Sequence, residues 1–206
     1  MESDKFNLIL GSQSPRRKEL LSWLNVPFQI LTADLAEVSD ESASEKIAMD
    51  IASQKARAVM EQASNIERPF VISSDTIVVL NNKLYGKPKD VNDAREILKE
   101  LSGKTHEVMT GVSFLYTDLK TKKLREHLFF DFTEVKFNVI TDDLMENYLA
   151  TGDSLDKAGA YGIQGAGLTF ISKINGSYSN VVGFPLDKII GELSIVLGSN
   201  WRKYFI

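Results

Sequence analysis

The sequence predicts a mixed α/β domain, because strand-period and helix-period segments interleave from one end of the chain to the other. Two observations carry this most clearly. An apolar run at residues 8–10 leads straight into a turn and a helix start at Ser14-Pro15, and residues 108–116 and 128–140 read as two long antiparallel strands around the basic turn Lys120-Thr121-Lys122-Lys123.

The elements follow in order. Residues 8–10 form a short buried strand, and Gly11 opens the turn. Ser14 reads as an N-cap and Pro15 as the first helical residue, where its missing N–H is no loss. Arg16 and Arg17 then fall in the first turn, at the positive end of the helix dipole, which disfavours each cation by roughly 0.3–1 kcal/mol. An anion opposite them, held by free backbone N–H groups, the hydroxyls of Ser12 and Ser14 and the two guanidiniums, would make the arrangement favourable. A plain capped helix with solvated arginines fits the heptapeptide equally well. It is not a Walker P-loop, since the second glycine and the Gly-Lys-Ser/Thr ending are absent.

Residues 26–31 suggest a second strand, followed by an acidic stretch at 34–45 that contains Glu37. Ser42 with Glu45 is a capping-box pair, and it predicts a helix running to about Ala63. Ile47, Ala48, Ile51, Ala52, Val59 and Ala63 recur at helical spacing on its core face. Lys55 lies on the same stripe, either as a stem snorkelling at the edge of the core or as an ammonium aimed into a cleft. Residues 69–80 are strand-like, and Asn81-Asn82 supplies a hairpin turn. Asp75 interrupts this apolar strand. Burying a carboxylate there without a partner is very costly, so Asp75 needs a cation, a hydrogen-bond network or solvent from a cleft. The returning hairpin would bring Lys87 back toward it.

Residues 90–101 predict a helix ended by Gly103, and Thr141 or Asp142 starts another to about Leu149. The alternating aromatics between Phe129 and Val139 read as core. Residues 156–167 hold a glycine-rich loop, suited to close approach of backbone to a ligand, with Gln164 able to donate to and accept from a nucleobase edge. A strand near 168–171, a helix over 185–197 and a tail at 201–206 complete the chain, with no internal repeat or linker.

Composition narrows the function. A chain of 206 residues, 43% hydrophobic and 25% charged, can bury a real core as a single domain, 1–206, with one lobe or two. Its net charge of −4 offers no global attraction to nucleic acid or anionic membranes, so a polyanion would need a local basic cluster. Without cysteine there are no disulfides, thiolate nucleophiles or Cys zinc sites, and His106 and His127 stand far apart. The start, Met1-Glu2-Ser3-Asp4-Lys5, lacks a basic and apolar leader, and no run has membrane-spanning length. A soluble, cytoplasmic protein is the expectation. Several cations with two carboxylates suit phosphoryl chemistry, where cations neutralise phosphate oxygens and carboxylates hold a metal or orient water.

Five segments taken together resemble one family: Ser12-Gln13-Ser14-Pro15-Arg16-Arg17, Ser74-Asp75-Thr76, Gly86-Lys87-Pro88, the run 155–165 ending Tyr161-Gly162-Ile163-Gln164-Gly165, and Asn175-Gly176-Ser177-Tyr178 with 181–186. In this order and spacing they are similar to the Maf nucleoside triphosphate pyrophosphatases, once described as septum-formation inhibitors. The Tyr-Gly-Ile-Gln-Gly form resembles the branch acting on dTTP and UTP, whereas the 7-methyl-GTP branch usually carries a Glu-Gly ending. The resemblance implies cleavage between the α and β phosphates, with a divalent cation, Mg2+ or Mn2+. It implies Asp75, Glu37 and Lys87 as catalytic residues, with Asp75 the proton acceptor or water-orienting carboxylate and Asp75 with Glu37 on the metal. Ser12, Ser14, Arg16, Arg17, Lys55 and Lys87 would hold the triphosphate, and Arg16, Thr76 and Gln164 would select a pyrimidine. One departure stands out: the family often has Asp-Glu in the acidic loop, and here Ala36 precedes Glu37. The implied fold is inosine-triphosphate-pyrophosphatase-like, elongated, with a long mostly antiparallel or mixed sheet flanked by helices, a cleft between two lobes, and often a homodimer. A non-catalytic nucleotide-binding regulator of division, or a purine-selective pyrophosphatase, are the alternatives.

Overall fold

A computed structural model describes residues 5–206, and Met1 to Asp4, on which the lack of a leader was partly read, lie outside it. The expected mixed α/β class is what the chain adopts. Strands β1 (Asn7–Leu10), β2 (Gln29–Ile30), β3 (Pro69–Leu80), β4 (Lys83–Tyr85), β5 (Thr105–Thr117), β6 (Leu124–Phe137) and β7 (Ile171–Asn175) alternate with helices. These are α1 (Pro15–Ser22), α2 (Ser44–Gln62), α3 (Val91–Leu101), α4 (Asp142–Leu149), α5 (Tyr178–Val182) and α6 (Leu186–Leu197). The chain forms two compact units. The first takes 5–75, 110–131 and 183–206, and the second takes 76–109 and 132–182.

In the first unit β1 pairs in parallel with both β2 and β3, in the register Ile9↔Val71 and Leu10↔Ile72. Parallel neighbours need a long crossover, and α1 and α2 lie in the segment between β1 and β3. Ile9, Val71, Ala56, Val59, Ala63 and Leu115 form one buried cluster, so α2 packs its small-residue stripe on these strands. Gly11 follows β1 because β3 runs so close: a Cβ there would lie 2.1 Å from Ser73 Oγ. The final residues are no loose tail. They form a 3-10 turn at Trp201–Tyr204, and Phe205 bridges Phe6 with both rings buried.

In the second unit β4 returns antiparallel on β3, pairing Val78 with Tyr85 and Leu80 with Lys83. Asn81 and Asn82 both take positive φ, the requirement of the tight hairpin turn their sequence signalled. The Asp90 side chain caps α3, Thr141 caps α4, and Gly103 leaves α3 at φ 71°. Leu98, Leu101, Phe137, Tyr148 and Phe170 lie in the core.

Four expectations are corrected. Ser42 does not cap α2, which starts at Ser44 behind Ala43 with no side-chain cap. The second strand is only Gln29–Ile30, at the edge of the sheet. Residues Gly165–Phe170 coil as a 3-10 turn, and the strand begins at Ile171, because glycines at 165 and 167 favour tight turning over extension. On β6 the inward set is Phe129, Thr133, Val135 and Phe137, while Phe130 and Phe132 are exposed by the two-residue alternation.

Candidate active site

The turn after β1 behaves as its sequence says. Ser14 Oγ accepts from the Arg17 backbone N–H at 3.5 Å, and Pro15 occupies the first helical position. Ser14 is therefore a cap, and its own N–H donates to Ser12 Oγ at 3.2 Å. The Arg17 side chain does not spread into solvent. Its guanidinium turns onto the strand and donates to the Ser74 carbonyl at 2.6 Å, with Ser12 Oγ at 3.5 Å from the same nitrogen. Burial lowers the Arg17 pKa and the neighbouring Arg16 charge lowers it further, while Asp75 and Glu37 act the other way. Arg16 is half-buried on the same first turn.

Ser74 enters the sequence reading only as the first residue of Ser74-Asp75-Thr76, with no role of its own, and in the structure it joins two segments. Besides its carbonyl on Arg17, its hydroxyl donates to the Gly183 carbonyl at 3.1 Å. The peptide leading into Asp75 is thus held from two sides. No local signal marks this, because a strand serine among apolar residues looks like any other.

Asp75 itself is 6% exposed. The cation it needed is Lys55, whose Nζ lies 2.6 Å from Asp75 Oδ1 and 2.8 Å from Glu37 Oε1. The two readings of Lys55 are resolved: its stem crosses the core stripe and its ammonium sits between two carboxylates. Helix α2 is fixed on another face by Glu126 of β6. Glu126 accepts from Ser53 Oγ at 2.7 Å and from Ser113 Oγ at 3.0 Å, and it pairs with Arg57. Gly111 lets α2 approach β5 closely, since a Cβ there would lie 2.3 Å from the Ala48 backbone. Ser12, Arg17, Ser74, Asp75, Lys55 and Glu37 therefore form one contiguous chain of contacts within the first unit.

Two carboxylate oxygens converging on one ammonium are the donor set that a hard divalent cation takes, with its remaining ligands from phosphate and water. Glu37 and Asp75 fit that group. Among the described residues no three His, Asp or Glu side chains gather as a protein-only metal cage.

The second unit carries Thr76, half-buried next after Asp75, and Lys87, exposed beyond the end of β4. Gln164 is half-buried in the glycine-rich loop, between the turns Ala158–Ala160 and Gly165–Phe170. The Gly159 N–H donates to the Gly86 carbonyl at 3.1 Å, joining that loop to the segment that bears Lys87. Tyr161 of the same loop shares a 2.7 Å hydrogen bond with His106 Nε2. Burial drives the His106 pKa down to about 4 and raises that of the Tyr161 phenol. His106 is a neutral structural histidine, and its partner is fixed by tertiary packing.

These motifs lie within residues 7–196, which match the family model of Maf-like proteins. The chain belongs to the Maf-like protein family. Among curated Maf relatives, a dTTP/UTP pyrophosphatase from Bacillus cytotoxicus is 44% identical over 186 residues, 90% of this chain and 93% of the relative. One from Agathobacter rectalis is 41% identical over 196 residues, covering 90% and 95%. Another from Alkaliphilus oremlandii is 45% identical over 183 residues, covering 88% and 92%. Among solved structures, a HAM1 protein from Coxiella burnetii has a TM-score of 0.45 and 13% identity, over 64% of this chain and 73% of that one. No helix among the described residues of this Maf protein is long and apolar enough to cross a membrane.

Proposed function

We propose that this Maf protein is a nucleoside triphosphate pyrophosphatase that hydrolyses dTTP and UTP, and their modified forms, to the monophosphate and pyrophosphate. The observation that carries the reading is the Lys55 ammonium held between Asp75 and Glu37, on a strand whose approach to Asp75 is fixed by Arg17. The relatives' names supply the substrate class.

In this reading water adds across the α–β phosphoanhydride. Asp75 orients the water and accepts its proton as the anhydride oxygen leaves with pyrophosphate. Lys55 keeps the carboxylate in place and offers its charge to the phosphate oxygens, as do Arg16 and Lys87. Ser14 and Ser12 shape the turn, and Arg17 holds the Ser74–Asp75 peptide. Thr76, Arg16 and Gln164 select the pyrimidine. Glu37 and Asp75 would hold a divalent cation, Mg2+ or Mn2+, which supplies positive charge to the phosphates when bound. The product pair suits a house-cleaning role in the nucleotide pool of the cytoplasm, by a protein that works as a homodimer.

Purified protein with magnesium, offered a panel of triphosphates, is expected to release pyrophosphate and monophosphate from dTTP and UTP. Release of orthophosphate alone, faster turnover of inosine triphosphate, or no turnover would overturn the reading. Asp75→Asn is expected to remove turnover and keep nucleotide binding, and chelation of the metal is expected to silence the wild type reversibly.

A further inference from the structure

The loop bearing Gln164 is wrapped around a buried lysine. Lys157 is 6% exposed, and its Nζ lies 2.6 Å from each of three oxygens: the Asp153 carbonyl, Asp153 Oδ1 and Asp156 Oδ1. An ammonium taken out of water at this depth requires such partners. The backbone then lies flat against its stem: a Cβ on Gly162 would stand 2.7 Å from Lys157 Cε and 2.9 Å from Cδ. The far end of a lysine ordinarily swings aside from such a clash, but this one is pinned at Nζ. One layer further out, a Cβ on Gly167 would stand 2.3 Å from the Gly162 carbonyl oxygen. Gln164 lies between these two stacked glycines, and its own carbonyl is 3.5 Å from the point the Gly162 Cβ would occupy. Gly162 is not among the residues with positive φ, so its need for glycine is steric.

We propose that Lys157 is a positioning residue for base selection: its pinned stem is the template on which residues 162–167 fold, and that fold sets where Gln164 meets the base. This rests on the reading of Gln164 as the pyrimidine-contacting side chain. The Lys157 ammonium is held by Asp153 and Asp156 of its own unit, so its removal is expected to act on substrate fit and to leave the chemistry in place.

The test is steady-state hydrolysis of UTP and CTP by wild type, Lys157→Met, Gly162→Ala and the double variant, with amide hydrogen exchange on each. For both single variants the UTP KM is expected to rise about tenfold and the UTP-over-CTP preference to fall about as much, since small misplacements of a substrate-contacting group have effects of this size. The kcat is expected to stay within about twofold, the pattern of lost binding rather than lost chemistry. The double variant is expected to be no worse than either single one, because both remove the same contact. Exchange at residues 158–167 is expected to quicken in Lys157→Met while the rest of the second unit holds. An unchanged preference with unchanged exchange, or effects of the two substitutions that multiply, would overturn the proposal. If Lys157→Met fails to fold, Gly162→Ala, which leaves all three Nζ contacts available, carries the test. A wild type inactive on all pyrimidine triphosphates would defeat the proposed function, and hydrogen exchange would still decide whether Lys157 templates the loop.

Discussion

Removing the charge from Lys55 should hurt this protein more than removing the charge from its partner Asp75. At 2.6 Å the ammonium and carboxylate attract by about 6 kcal/mol at an effective dielectric near 20. Most of that offsets the desolvation of two groups whose side chains are 16% and 9% exposed. What differs is the state each substitution leaves behind. Lys55→Met strands a carboxylate inside an apolar strand, and we expect a loss of about 3 kcal/mol, the low end for a broken buried pair. Asp75→Asn leaves Lys55 on Glu37, whose side chain is 42% exposed, and keeps a side-chain oxygen to accept from Nζ. Its expected loss is about 1 kcal/mol. The double variant orphans no buried charge, so its loss should fall about 2 kcal/mol short of the sum. Urea unfolding at neutral pH reads all four proteins, with equal m values securing the comparison. Additivity to within about 0.5 kcal/mol, or a larger loss for Asp75→Asn than for Lys55→Met, would refute the argument that Lys55 is the cation Asp75 depends on.

Three further outcomes follow. The His106 pKa falls from 6.5 unfolded to about 4 folded, so between those values the unfolded chain binds the extra proton. The neutral side chain's contribution is complete above pH 6.5 and is lost as pH falls toward about 4, a span worth about 3 kcal/mol, of which about 2 lies between pH 7 and pH 5. His106→Gln should flatten that slope in denaturation at the two pH values, and an unchanged slope would rule out His106 as its source. Gly111→Ala would drive a Cβ into the backbone at Ala48, so a loss of about 3 kcal/mol is expected, with reduced turnover because α2 carries Lys55; a wild-type melting temperature would contradict this. The surface pair Arg95–Glu146 should contribute little: Arg95→Gln is expected to leave the melting temperature and turnover unchanged, and a clear drop in either would contradict this.

Much of the fold was legible because its signals are local. A serine before a proline after an apolar run makes a strand, a cap and a helix start, since the groups that satisfy the first turn lie within three residues. Two asparagines between apolar runs make a hairpin, since both tolerate positive φ. An aspartate amid valines and isoleucines announces that a cation must come from elsewhere. Local patterns misled where two chemistries share one composition. Residues 165–170 contain strand-like Leu168, Thr169 and Phe170, yet the glycines among them coil the backbone.

Partners were not legible. Lys55 on a core stripe was as well explained by snorkelling as by pairing. Its role depends on Asp75, 20 residues away, lying beside α2. Arg17 reads as a solvated or anion-facing guanidinium until β1 takes β3 as its parallel neighbour, which brings the Ser74 carbonyl, 57 residues distant, under it. Lys157 looks in sequence like one polar residue in a glycine-rich loop, because what makes it important is a stem buried under Gly162. Caps, turns and periodicities follow from interactions a few residues apart, and the amino-acid order alone specifies them. Which carboxylate meets which ammonium is set by strand order and helix docking, and these come from burying apolar faces contributed by distant segments.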